Sequence, residues 1–450
     1  MSMQAAWLKE RGRGPQWLEK AKDATSLKPS PLAFGALVAF FFIYYYRPED
    51  LIHPLGYIPL AKIAGFIAVL PMLDIMFGSG GVKLPKAMKL LWVMVIQLTL
   101  CIPFALWPGR SFHSVFDALA KGVLISTVIA VALVRVSEVR RLLWIQVSAV
   151  ALVTFLSIAT RHFQQDRLAG VQEGILENPN DLAINIAISF PLALAFLLRS
   201  KGPRKAIWAA SLAVLCYGVF LTGSRSGLLA LICSIAACVW EYGVKGKRRS
   251  LIGATLLIAI LAGCVGLANS HYRARVESIF LGNIEGSDDQ NSRAARVELL
   301  KKSLYTAATH PVFGVGPGCF PLVDAGWRVA HNAYTELAAE GGIFAIILFL
   351  MAIGAAFKNL RDLRKLPMYQ SDPELQLFAQ SLWAGLVAYL TGSLFASTEY
   401  QFYPYYMVGF TCVLLRIAQA QSLPERSPEP PGIYKVPYES IAATPTIRTR

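Results

Sequence analysis

Apolar runs separated by short, basic breaks recur along almost the whole 450-residue chain. Each is close to the ~20 residues with which a helix crosses about 30 Å of hydrocarbon. Twelve such runs can be laid out, at 31–46, 58–77, 87–107, 116–134, 142–160, 182–198, 206–222, 227–241, 251–269, 337–357, 378–398 and 402–419. The pattern predicts an all-α fold, a polytopic membrane bundle of about 12 transmembrane helices with one long loop. That loop, residues 270–331, is the main polar interruption between spans. Within it Ala294, Val297, Leu300, Leu304 and Ala308 recur at helical spacing, which predicts an amphipathic helix over 294–308 lying on the membrane. His310-Pro311 ends that helix, and Gly314-Val315-Gly316-Pro317-Gly318 forms a tight, bending loop.

The predicted organisation is a basic tail (1–30), nine spans (31–269), the loop (270–331), three spans (332–419) and a Pro- and Ser-rich tail (420–450). The composition of that last tail predicts disorder. A chain 55% hydrophobic and 16% charged is not a soluble globular protein.

The net charge of +15 could suggest a nucleic-acid partner, but its placement excludes one. With the N-terminus cytoplasmic, five short inner loops hold eighteen Lys and Arg, and the N-terminal tail adds six. The short outer loops hold five: Arg47, Arg110, Arg161, Arg167 and Arg225. This asymmetry is the positive-inside pattern, and it predicts both termini inside and the long loop outside, in contact with membrane lipids. All six histidines then face outward (His53, His113, His162, His271, His310 and His331). Six of the seven cysteines lie in or beside apolar runs and Cys319 is alone in an outer loop, so packing rather than a disulfide must hold that loop.

Three of the predicted outward helix starts carry polar signatures: Asn178-Pro179-Asn180-Asp181, Gly223-Ser224-Arg225-Ser226-Gly227 and His331-Asn332. A helix N-terminus offers unpaired N–H groups and partial positive charge, a ready anion site. Arg225 adds a fixed charge and a fork suited to phosphate oxygens. The competing reading makes Asn180, Ser224 and Asn332 simple helix caps. His331 at a helix start is held neutral by the dipole, which suits a general base acting on a hydroxyl.

The stretches TGSRSGLLAL, HPVFGVGPGCF and HNAYTELAAEGG, in this order and spacing, resemble the O-antigen ligase/polymerase family of bacterial membrane glycan transferases, as does the NPND start. The resemblance spans about residues 178–345. It implies transfer of a glycan from an undecaprenyl-diphosphate carrier to an acceptor hydroxyl outside the cytoplasmic membrane, without nucleotide sugar, cofactor or metal. The acceptor would be a lipid-A core sugar, a polysaccharide end or a protein. The family's two outer arginines map onto Arg225 and Arg296, with Arg293 as the register alternative, and its histidine onto His331. Asn180, Asn332 and Glu340 complete the candidate substrate-binding set. A diphosphate is already a good leaving group, so cations to hold it matter more than an acid to protonate it.

Glu336 and Glu340 lie one turn apart on the tenth run and are expected chiefly to face water or a basic partner. Lys62 and Asp74 are about 18 Å apart along the second run, too far to pair, and should snorkel to opposite ends. The aromatic cluster Tyr400, Phe402, Tyr403, Tyr405 and Tyr406 reads as an interfacial belt. The glycines at 314–318 are no dinucleotide fingerprint, because no strand precedes them. A polyprenyl-phosphate sugar transferase using Glu49 and Asp50 is one competing function, and a lipid-linked glycan flippase or transporter is another. A transporter should show mid-bilayer charges and paired repeats, and these runs are nearly free of charge at their centres.

Overall fold

The computed structural model describes residues 30–51, 57–77, 82–171, 176–245, 288–324 and 326–421. The N-terminal tail to residue 29, the ninth predicted span, the loop up to residue 287 and the tail from residue 422 lie outside the described residues. So do His53, His271 and the side chain of Arg293.

What is described is an all-helical bundle apart from one short hairpin, Phe163–Gln164 paired with Arg167–Leu168. Among the described residues eight helices are long and apolar enough to cross a membrane: Leu60–Phe77, Lys86–Phe104, Pro108–Ala132, Val136–Ala159, Pro179–Arg199, Pro203–Thr222, Arg225–Val244 and Ala333–Leu363. The protein is a multi-pass membrane protein. In hydrocarbon every backbone group must be satisfied within the protein, which leaves helices as the solution for such a chain. Helices also stand at the predicted first, eleventh and twelfth spans, but Pro31–Tyr46 is short. Pro373–Gly392 and Phe402–Gln421 carry too many polar residues, among them Gln376, Gln380 and Arg416, to join the eight.

Local chemistry explains where helices begin. Proline opens those at Pro31, Pro108, Pro179, Pro203 and Pro373, where its missing N–H costs nothing. The side chains of Ser30, Asn178, Ser224, Asn332 and Asp372 cap the first turns. Lys62 and Asp74 are both exposed near opposite ends of Leu60–Phe77, as expected of snorkelling side chains.

Two expectations are corrected. Tyr403, Tyr405 and Tyr406 are at most 1% exposed, so the aromatic cluster is core and not an interfacial belt. Phe402 and Tyr406 each meet Phe41 edge-on at 6.0 Å, and Tyr389 meets Tyr403 at 5.7 Å. The rings pack inward because Phe402–Gln421 runs against Pro31–Tyr46 and residues 120–132 inside the bundle.

The loop helix is longer than predicted, Asp288–Thr309. It packs on the protein through Leu299, Ser303 and Thr306, while Val297 and Leu304 of the predicted apolar stripe are each 52% exposed. Polar residues can serve as the packed face because their hydroxyls find partners. Ser303 donates to Thr335 Oγ1 at 2.8 Å and Thr306 to the Lys302 carbonyl at 2.8 Å.

Candidate functional site

The Arg225 turn is set by a close approach of two helices. A Cβ at Gly227 would overlap Ala183, so glycine lets the first turn of Arg225–Val244 touch the first turn of Pro179–Arg199. Ser224 caps the former, accepting from Gly227 N at 3.2 Å, and donates its own hydroxyl to Asn180 Oδ1 at 2.9 Å. The same Asn180 oxygen accepts from Arg167 Nη2 at 2.7 Å, while Arg167 Nε donates to the Thr222 carbonyl at 2.8 Å. Arg225, partly exposed, is the first residue after the cap, and Arg167 is tied to both flanks of that turn. The Arg167 guanidinium thus lies among the first turns of two helices, one of which opens with Arg225, an arrangement that can bind an anion with several oxygens.

The competing reading of Asn180 as a helix cap does not hold. Asn178 holds that place, accepting from Asn180 N at 2.8 Å, and Asn180 instead bridges Arg167 to Ser224. The sequence marks Arg167 only as an outer charge. It sits on the hairpin after the fifth predicted span, and no local motif connects it to residues 55 positions away.

The second part of the site is a broken helix. Ala333–Leu363 departs from helical geometry at Gly342 (φ 74°, ψ −178°). The break orphans carbonyls on one side and an N–H on the other, and the glycine-rich loop satisfies them. Val315 N donates to the Ala339 carbonyl at 2.9 Å, Gly316 N to Glu340 at 3.0 Å, and Ile343 N to Pro311 at 2.8 Å. Gln97 Nε2 reaches the Gly341 carbonyl at 2.6 Å. Gly314, Gly316 and Gly318 all have positive φ, and side chains there would strike Glu340, Ala105 and Ser114 respectively. The GVGPG and EGG stretches are two halves of one close-packed joint.

Glu340 completes that joint. Fully buried, it accepts from Gly318 N at 2.7 Å, Phe320 N at 2.9 Å and Tyr400 Oη at 2.6 Å. The expectation that Glu340 and Glu336 face water or a basic partner is therefore corrected: both are buried and clasp backbone and hydroxyl donors. Glu336 accepts from Ala330 N at 3.0 Å and from the Ser397 hydroxyl. Cys319, also buried, lies 3.2 Å from Ser111 Oγ; the described cysteines are all free thiols, and packing holds this part of the loop.

His331 stands just outside the broken helix in a left-handed conformation, φ 54°, uncommon for a residue with a side chain. Its N–H donates to Ser397 Oγ at 3.1 Å, the same hydroxyl that is bound to Glu336. The strained backbone is held by its neighbours, as at many functional sites. Burial, and then the charge of Arg296, lower the His331 pKa below the usual histidine value. The ring is accordingly neutral at neutral pH and able to accept a proton. Asn332 caps the helix, accepting from Tyr334 N at 3.0 Å and Thr335 N at 3.1 Å, so the cap reading holds for it. Nearby, Lys302 and Arg328 grip Asp324 at 3.0 and 2.8 Å and hold its carboxyl well below the ordinary range.

The two parts share one end of the bundle. Gly392 packs against Ile184 near the start of Pro179–Arg199. One residue on, Ser393 accepts from Ala333 N through its carbonyl at 3.0 Å and pairs with Thr398 through its hydroxyl at 2.9 Å. The 392–398 turn therefore joins the Arg225 cluster to the His331 turn. The Arg296 charge acts on the His331 ring, and the Arg225 turn meets the same end of the bundle through this turn.

Polar joints thus gather arginines and a neutral histidine at one end of a multi-spanning helical bundle. Residues 210–350 match the family model described as O-antigen ligase. The match covers that stretch alone; it supports the O-antigen ligase family and, with it, O-antigen ligase-like glycan transfer. No curated protein matches the chain.

Proposed function

We propose that the protein transfers a glycan from an undecaprenyl-diphosphate carrier to an acceptor hydroxyl at the extracytoplasmic face of the bacterial inner membrane, with both termini cytoplasmic. The observation that carries this reading is His331: a neutral imidazole on a strained, tightly held turn, beside Arg296 and at the same end as Arg225. In the proposed step His331 takes the acceptor proton as the acceptor oxygen attacks the anomeric carbon. The bond from that carbon to the diphosphate oxygen breaks, its electron pair leaves with undecaprenyl diphosphate, and the anomeric configuration inverts.

Arg225 and Arg296 hold the diphosphate charge, with Arg293 the alternative to Arg296, and Arg167 supports Arg225 from the Asn180 bridge. Glu340 and Asn332 act indirectly, Glu340 by fixing the 311–320 loop and Asn332 by capping the helix behind His331. Neither a metal nor a cofactor is required by these steps. The acceptor is a lipid-A core sugar, a polysaccharide end or a protein hydroxyl. The Glu49/Asp50 alternative is disfavoured because Arg47 already clasps Asp50 at 2.8 Å.

Arg225→Ala and His331→Ala should each abolish glycan transfer while the protein still accumulates, folded, in membranes. Wild-type surface glycans in either mutant would refute the mechanism. In a deletion strain, intact but unattached chains indicate a ligase, single-repeat glycans a polymerase, and lost glycoprotein a protein transferase.

A further inference from the structure

The opposite end of the bundle carries a second feature, which the transfer chemistry does not use. Val136–Ala159 and Pro203–Thr222 flank an apolar groove lined by Trp144, Leu152, Phe155, Ile207 and Val214. It runs straight into a cleft of about 1070 Å³ whose rim is cationic, with Arg140, Arg141, Arg199, Lys201 and Arg204. The groove and the cleft share Trp144, Arg204 and Trp208. From Trp144 to Phe155 the groove is about 16 Å long, at ~1.5 Å per residue. The Arg225 cluster is roughly 30 Å away, the length of the Pro179–Arg199 helix that connects the two ends.

Charge decides what fits the cleft. Arg140 and Arg199 both bind one carboxylate, Glu374, at 2.8 and 2.5 Å, so a single anion is shared between two cations. Arg141 lies 5.6 Å over the Phe34 ring. Among the described residues neither Lys201 nor Arg204 has a carboxylate partner. Five cations facing one carboxylate leave a surplus of positive charge at the mouth of an apolar, chain-shaped groove. The groove wall is exposed, with Trp144 46%, Phe155 52% and Ile207 63% accessible, so its natural cover is a hydrocarbon chain. Tryptophans at the junction belong where hydrocarbon gives way to headgroup.

We infer that this cleft and groove form a binding site for an anionic phospholipid of the bilayer, its phosphate seated among Arg141, Lys201 and Arg204 and one acyl chain lying between Val136–Ala159 and Pro203–Thr222. Basic pockets between transmembrane helices recognise such headgroups, at about 1 kcal/mol per cation near the surface.

The test uses the full-length protein, stripped of co-purified lipid in mild detergent and exposed to phosphatidylglycerol or phosphatidylcholine vesicles, with retained lipid counted by native mass spectrometry. Wild type should retain phosphatidylglycerol in preference to phosphatidylcholine. Arg141→Gln with Arg204→Gln should weaken that retention on the order of 30-fold, about five-fold per charge. Ser211→Trp, which fills the groove without touching the charge, should also weaken it. Equal retention of both lipids, or retention unaffected by these variants, would reduce the site to ordinary annular lipid and overturn the inference. Displacement of phosphatidylglycerol by undecaprenyl phosphate at equal concentration would overturn it in favour of the carrier lipid. An unchanged thermal midpoint in detergent shows that each variant is folded; if the double variant fails that check, the exposed single change Arg204→Gln carries the test.

Discussion

Replacing Gly342 by alanine tests the joint on which the candidate site is built. At φ 74° and ψ −178° the backbone occupies a region essentially reserved for glycine, and entering it costs a side-chain-bearing residue about 1–3 kcal/mol. The new methyl would also fall inside contact distance of the Pro311 and Val312 carbonyls. Pushing those apart disturbs the Ile343–Pro311 hydrogen bond, and overpacking of this kind costs about 1–3 kcal/mol more. Gly354 supplies an internal control on the same helix: it is exposed, has ordinary helical geometry and has nothing within 4 Å of a built Cβ. Alanine there should be neutral or stabilise by up to about 1 kcal/mol. The two substitutions should therefore differ by roughly 4 kcal/mol, read as thermal unfolding midpoints of purified protein in detergent, with Gly342→Ala also losing glycan transfer. Equal midpoints for the two variants would refute the account of the broken helix.

Other consequences can be measured in the same preparations. Because burial and Arg296 lower the His331 pKa, the ring stays neutral below the usual 6.5, and the acid limb of kcat/KM should lie below that pH. Arg296→Gln should move the limb upward, whatever it does to the rate; a wild-type limb above 6.5 would exclude His331 as the base. Arg167→Lys keeps the charge but cannot reach both Thr222 and Asn180, and transfer should fall about ten-fold in a folded protein, in line with one charged hydrogen bond. Unchanged transfer would remove Arg167 from the site.

Helix positions were legible because hydrophobic runs of spanning length have few alternatives: eleven of the twelve expected spans coincide with helices among the described residues. Side-chain direction was less legible. Tyr403 and Tyr406 have the composition of an interfacial belt, and only the packing of their helix turns them inward, Tyr406 against Phe41 and Tyr403 against Tyr389. Glu340 looked like a carboxylate awaiting water or a cation, because nothing in its neighbourhood of the chain announces the two backbone N–H groups some twenty residues back that it binds. The sequence marks Asn180 as part of a helix start but not its partner Arg167, since their contact depends on the 163–168 hairpin and on a turn that Arg225–Val244 brings up at Gly227.

The broken helix also bears on how portable the domain is. The stretch that matches the family model begins at residue 210, yet several groups that close its central joint come from far upstream. Gln97 seals the Gly341 carbonyl, Leu106 N donates to the Val315 carbonyl, and Ser111 meets Cys319. A chimera that imports only residues 210–350 into a related scaffold would bring a lock without its strike plate. Successful exchange between such proteins should require residues 97–114 to travel with it, and natural variation at the two places should be correlated.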